Sequence, residues 1–110
     1  MIFQEHISIH TRERSQMVMM TDEVRAVVVR SGIRHGIVTI FSMHTTAGLT
    51  INENADPDVC RDIVSKLSWM VPQDTRFLHA EGNSDSHIKT LLTGLSAQVP
   101  VENSDVALGV

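Results

Sequence analysis

Cysteine and tryptophan each occur once in the 110 residues of this chain, tyrosine is absent, and there are only two lysines. A single cysteine cannot form an internal disulfide, so a reducing compartment, the cytoplasm, is expected. Four aromatic residues (three phenylalanines and the tryptophan) give no set of stacking platforms for single-stranded nucleic acid. Thirteen acids against nine bases leave a net charge of −4. That balance excludes a generally basic, nucleic-acid-coating surface, though not a local basic pocket. Six glycines and three prolines are too few for a collagen-like or low-complexity chain. No apolar run approaches the roughly 20 residues of a membrane span. The opening MIFQEHISIHTRER is polar at every second residue, unlike the apolar core of a signal peptide. Neither a glycine-rich P-loop nor GxGxxG occurs, which excludes nucleotide binding of those kinds. Repeats, charge blocks and linker-like stretches are also missing, so residues 1–110 read as one domain. A chain this long needs no metal or disulfide merely to fold.

What the chain does have is six histidines, and a pattern of short elements. Residues 3–10 alternate, with Phe3, Glu5, Ile7 and Ile9 on one side, and so predict a half-buried strand. Met17 to Met20 suggest a second short strand. Thr21 offers an N-cap, Asp22 and Glu23 suit a helix dipole, and Val24, Val27 and Val28 fall at helical spacing before Gly32. Residues 36–43 are the clearest strand, and 48–52 look like its continuation or partner. The clearest helix starts at Asp56-Pro57-Asp58, carries Val59, Ile63, Lys66, Leu67 and Met70 as a stripe, and stops before Pro72. Residues 73–85 make a long loop, a feature more often functional than idle in so short a chain. Ser86 or Asp85 could cap a short helix with Ile88, Leu91 and Leu92, ended by Gly94. Residues 95–102 and 105–110 read as strands joined by a turn at Asn103-Ser104. This order predicts an α+β fold, a mixed and mostly antiparallel sheet with two or three helices packed on it.

Three histidines sit at element boundaries: His44 after the clearest strand, and His79 and His87 around the long loop. Imidazole suits zinc and similar ions, and a catalytic zinc takes three protein ligands plus water. The eight-residue spacing of His79 and His87 matches no standard zinc signature, so the alternative is loop histidines making local hydrogen bonds. His6, His10 and His35 lie on a strand's polar side or before a glycine turn. Glu53 and Asp62 flank the start of the Asp56 helix, where a carboxylate could orient a metal-bound histidine or act as general base. Equally, both could face solvent. Thr45, Thr46 and Lys89, with the backbone near Ser86 and His87, have the hydroxyl, ammonium and helix-start chemistry that suits a phosphate. Cys60 reads as a small core residue and Trp69 as a packing residue.

The run His44-Thr45-Thr46-Ala47, then Leu49 to Asn54, Asp56-Pro57-Asp58-Val59 and Asp62, resembles the YjbQ-like family, called secondary thiamine-phosphate synthase. The likeness resumes at His79, Glu81-Gly82-Asn83, Ser86-His87-Ile88-Lys89, Gly94 and Val99-Pro100-Val101. The resemblance implies an α+β homotrimer with sites near subunit boundaries. It implies His44, His79 and His87 as ligands of a divalent metal, zinc first, and Glu53 and Asp62 as carboxylates beside it. Thr45, Thr46, Asn83 and Lys89 are implied to contact substrate. Family members continue past the position of Gly109 into a Trp-Gln motif and further strands, so the resemblance implies a domain truncated at the C-terminus, its closing strands missing. The expected function is a metal-assisted enzyme acting on a small phosphorylated molecule, with weak thiamine-phosphate-forming activity. A non-catalytic homotrimer that binds a metal or anion is the alternative. Neither reading calls for nucleic acid or a membrane.

Overall fold

The computed structural model describes residues 2–109. Its elements run α1 (Thr21–Ser31), β1 (Gly36–Phe41), α2 (Pro57–Met70), α3 (Ser84–Thr93), β2 (Ser96–Glu102) and β3 (Asp105–Val106). The strands form one open sheet in the order β1-β2-β3. β2 and β3 are antiparallel, with Val101 opposite Val106 and Glu102 opposite Asp105. β1 also runs against β2, because Ser104 N–H donates to Arg34 at one end and Ser42 N–H donates to Leu95 at the other. The expected α+β fold, three helices with a mostly antiparallel sheet, is the fold observed.

The chain divides into two compact units, Met1–Thr39 with Gln98–Val110, and Ile40–Ala97. In the first, Val24 and Val28 come one turn apart on α1 and are buried, as are Val99, Val101 and Val106. α1 packs on β3, and Arg25 Nε donates to Asp105 Oδ1 at 3.0 Å. Gly32 closes α1 in the left-handed region at φ 72°, and its N–H returns to Val29. Arg30 holds Glu5 through both carboxylate oxygens, tying the N-terminal segment to α1. Asn103 and Ser104 both take positive φ, 52° and 66°, the backbone that a two-residue hairpin requires.

Several expectations from the sequence are corrected here. Residues 3–10, 17–20 and 48–52 join no sheet ladder. Alternation reports a chain that can be extended, whereas a strand needs a partner, and partners come from distant sequence. Thr21 is the first helical residue rather than the cap, which falls at Met20 without a side-chain bond. The final strand is two residues long instead of reaching 110, and Val110 lies outside the described residues.

In the second unit α2 forms as expected: Asp56 Oδ1 accepts from Asp58 N–H at 2.9 Å, with Pro57 at the first helical position. Its inner face is Val59, Cys60, Ile63, Val64 and Leu67, all half-buried. Lys66 and Met70 turn outward instead of joining that stripe, and Lys66 Nζ sits 4.1 Å from the centre of the Trp69 ring. Trp69, read from sequence as a packing residue, is 74% exposed. α3 departs further. Asn83, not Asp85 or Ser86, takes its N-cap position, and its buried residues are polar, Asp85 and Thr90. Leu91, one of the apolar residues expected on this helix, is 82% exposed.

Candidate functional site

Two consecutive turns carry the chain from α2 to α3. Asp74 Oδ1 accepts from Arg76 N–H, and Phe77 N–H closes back on Asp74 at 3.1 Å. The Arg76 guanidinium and backbone together pull the Asp74 carboxyl down to about 2. The next turn spans His79 to Gly82, closed by Gly82 N–H to His79 at 3.1 Å. Gly82 has φ 73°, a conformation an L side chain adopts only under strain. Gln73 Nε2 donates to the Gly82 carbonyl at 3.3 Å. This turn returns the chain so that His79 meets His87 in the first turns of α3.

The His79 and His87 ring centres are 5.4 Å apart, with planes at 79°. Edge-to-face aromatic pairs adopt this arrangement without help. Two imidazoles sharing one tetrahedral ion, each about 2.1 Å from it, also hold their ring centres about 5 Å apart. Glu81 is exposed, its Oε2 4.0 Å from His79 Nε2. Asn83 and His87 are four residues apart and therefore share a face of α3. The Asn83 side-chain oxygen is buried with no hydrogen-bond partner in the protein, alone in this among the described residues. Such an acceptor, worth about 1–3 kcal/mol unsatisfied, suits a ligand N–H or O–H, or a cation. The two imidazoles are donors that suit a divalent ion such as zinc, whereas the amide oxygen is a hard donor better suited to magnesium or manganese.

The other expected residues are placed as follows. His44 begins a turn, with Ala47 N–H donating to its carbonyl and its own N–H reaching Ser42 Oγ at 3.3 Å. Thr45 and Thr46 form the exposed tip of that turn. The turn is seated on the end of α3 by Leu49 N–H, which donates to Gly94 at 2.9 Å. Gly48 permits this approach, because a methyl group there would strike the Thr93 hydroxyl. Glu53 is exposed, with its N–H held by Asn52 Oδ1 at 2.7 Å, and Asp62 lies on the outer face of α2. Lys89 Nζ is 3.6 Å from Asp85 Oδ2. Lys89 follows His87 by two residues and so leaves α3 about 160° around from it. The structure thus gathers His79 and His87 at the head of α3. Among the described residues it assembles no group of three or more His, Cys, Asp or Glu that could hold a metal, so His44 is not gathered to that pair.

The sequence offered Asp85 only as a possible helix cap and Gly82 only within a family motif, and assigned no role to Gly48. The Asp85/Lys89 spacing was readable as a helical ion pair. Its burial was not, because Leu91 and Leu92 are the residues a core would ordinarily take.

A family model described as UPF0047 protein YjbQ-like matches residues 5–110. The chain belongs to the YjbQ/UPF0047 family. It is 43% identical to a UPF0047 protein of Methanocaldococcus jannaschii, over 92% of this chain and 73% of that protein. It is 41% identical to the UPF0047 protein YugU of Bacillus subtilis, over 94% and 79% respectively. A crystal structure of a family member from Clostridium acetobutylicum superposes with a TM-score of 0.89 at 44% identity, covering 93% of this chain and 79% of that one. A YjbQ-like protein from Sulfolobus solfataricus retains a TM-score of 0.86 at 27% identity, covering 93% and 75%. The YjbQ fold therefore persists where nearly three residues in four differ. No helix among the described residues is long and apolar enough to cross a membrane.

Proposed function

We propose that this YjbQ-family protein is a cytoplasmic, homotrimeric enzyme that binds a divalent cation, zinc first, and acts on a small phosphorylated molecule. Thiamine-phosphate formation, the activity the family resemblance implies, is proposed as a secondary reaction. The observation that carries this reading is the His79/His87 pair at the head of α3, with the orphaned Asn83 oxygen on the same face. His79 and His87 would hold the ion, with His44 as the third ligand implied by the resemblance. A bound cation would neutralise charge on a departing pyrophosphate.

The chain's own residues would do the rest. Thr45 and Thr46, at the exposed tip of a turn seated on the C-terminal end of α3, are proposed to offer hydroxyl donors to phosphate oxygens. The head of α3 adds the positive end of its dipole, and Lys89 a full charge. Asn83 accepts a hydrogen bond from the substrate or contacts the cation. Glu53 is proposed as the general base. Asp62 is proposed as the carboxylate that orients a histidine.

The outward placement of Glu53 and Asp62 favours a second reading, a non-catalytic trimer that binds a metal or anion. Pyrophosphate titration by calorimetry, with and without added zinc, tests the shared part of the two readings. Tighter binding with zinc is expected, and no binding under either condition would overturn the enzyme reading and the anion-binding form of the second. Turnover separates them. Enzyme activity on a phosphorylated pyrimidine and thiazole pair should fall at least tenfold in Glu53→Gln with pyrophosphate binding kept. Binding without any turnover by the parent protein would leave the non-catalytic reading.

A further inference from the structure

Asp85 is 1% exposed, the most deeply buried side chain of α3, in a helix whose leucines face outward. A carboxylate taken out of water is strongly unfavourable unless a cation accompanies it. The Lys89 side chain, 15% exposed, brings its ammonium to 3.6 Å from Asp85 Oδ2. Residues four apart share a helix face, and side chains lean toward the helix N-terminus. Lys89 is therefore drawn back to the level of the first turn. Thr93, four residues further on, continues the same row, and the loop from His44 to Gly48 is seated at its far end. His87 lies on the other side of α3. A ligand lying across the head of α3 would be met by His87 and Asn83 from one side and by the Lys89 ammonium from the other.

We infer that Asp85 is a positioning residue, whose buried carboxylate holds the Lys89 ammonium at the first turn of α3 as the cation that meets a ligand's phosphate. This rests on the phosphorylated-ligand reading given above. Electrostatics and positioning make opposite predictions. Asp85 is a negative charge near a proposed anion site, so by charge alone its removal would strengthen phosphate binding. If it positions Lys89, its removal weakens phosphate binding.

Two measurements on the full chain test this. In the first, calorimetric titration with inorganic phosphate should give affinity at least fivefold weaker in Asp85→Asn than in the parent protein. Lys89→Met should show a similar loss, and the double variant no further one. Equal or tighter binding by Asp85→Asn would overturn the proposal. The second needs no ligand. Lys66 and Lys89 are the only lysines, and Lys66 is an exposed internal reference. Reductive methylation with carbon-13 formaldehyde, followed by NMR, should modify Lys89 at least fivefold more slowly than Lys66. In Asp85→Asn the Lys89 rate should rise toward that of Lys66. Equal rates in the parent, or an unchanged Lys89 rate in the variant, would contradict the positioning role. If the parent binds no phosphate while the methylation result holds, the anion reading falls and the Asp85 hold on Lys89 stands. Should Asp85→Asn fail to fold, the pair is tested by whether Asp85→Asn/Lys89→Met recovers the parent's circular dichroism spectrum. Failure to recover it counts against the proposal.

Discussion

Asp74 shows how far one neighbour can bias a side chain. Its carboxyl accepts from the Arg76 guanidinium and backbone N–H and is held at about 2, against an ordinary 3.8. Because the folded value is the lower one, the pair's contribution to the 74–77 turn is fully present above about pH 4. It is lost as pH falls through 2. Carbon-13 NMR titration of the Asp74 carboxyl should give a midpoint near 2, and Arg76→Ala should move it up toward 3.8. Ser104 makes a different residue-scale case. At φ 66° it occupies the left-handed region in a two-residue hairpin turn, where Asn-Gly is the preferred pair. Ser104→Gly should raise stability by about 0.5–1 kcal/mol in urea unfolding, the relieved strain exceeding glycine's added unfolded-state entropy.

At the scale of elements, the helices were more legible than the strands, for a physical reason. The start of α2 is specified locally, by Asp56 capping, Pro57 and the acid of the first turn, and the structure reproduces it. Strand pairing is not local, so the alternation of residues 3–10 could not reveal that they join no ladder among the described residues. The candidate site divides the same way. The boundary positions of His79 and His87 were visible in the sequence. Their proximity was not, because it depends on the 79–82 turn and the left-handed Gly82 that closes it. The seating of the His44–Gly48 loop likewise depends on one missing methyl group. Gly48→Ala should cost about 1–3 kcal/mol in urea unfolding through overpacking against Thr93. Thr93→Ala, which removes the struck hydroxyl, should recover part of that loss in the double variant.

Across the whole molecule, the outstanding feature is how much apolar side chain faces outward. Leu78 is 99% exposed, and Phe41, Met43, Trp69 and Leu91 are also open in the unit that carries the candidate site. Among the described residues, the five buried hydrophobic ones (Val24, Val28, Val99, Val101 and Val106) lie in the other unit. Exposed large apolar side chains on this scale favour association. Sedimentation should give three times the 12.2 kDa chain mass, and Leu91→Glu should shift the distribution toward monomer. The proposed cation site depends on the histidines at the head of α3, and metal content tests them most directly. Protein prepared without added metal and analysed by inductively coupled plasma mass spectrometry should carry close to one zinc or similar divalent ion per chain. That content should fall at least tenfold in His79→Ala and in His87→Ala while both remain folded. Full metal content in both folded variants, or a parent protein that binds none even when zinc is supplied, would contradict the account.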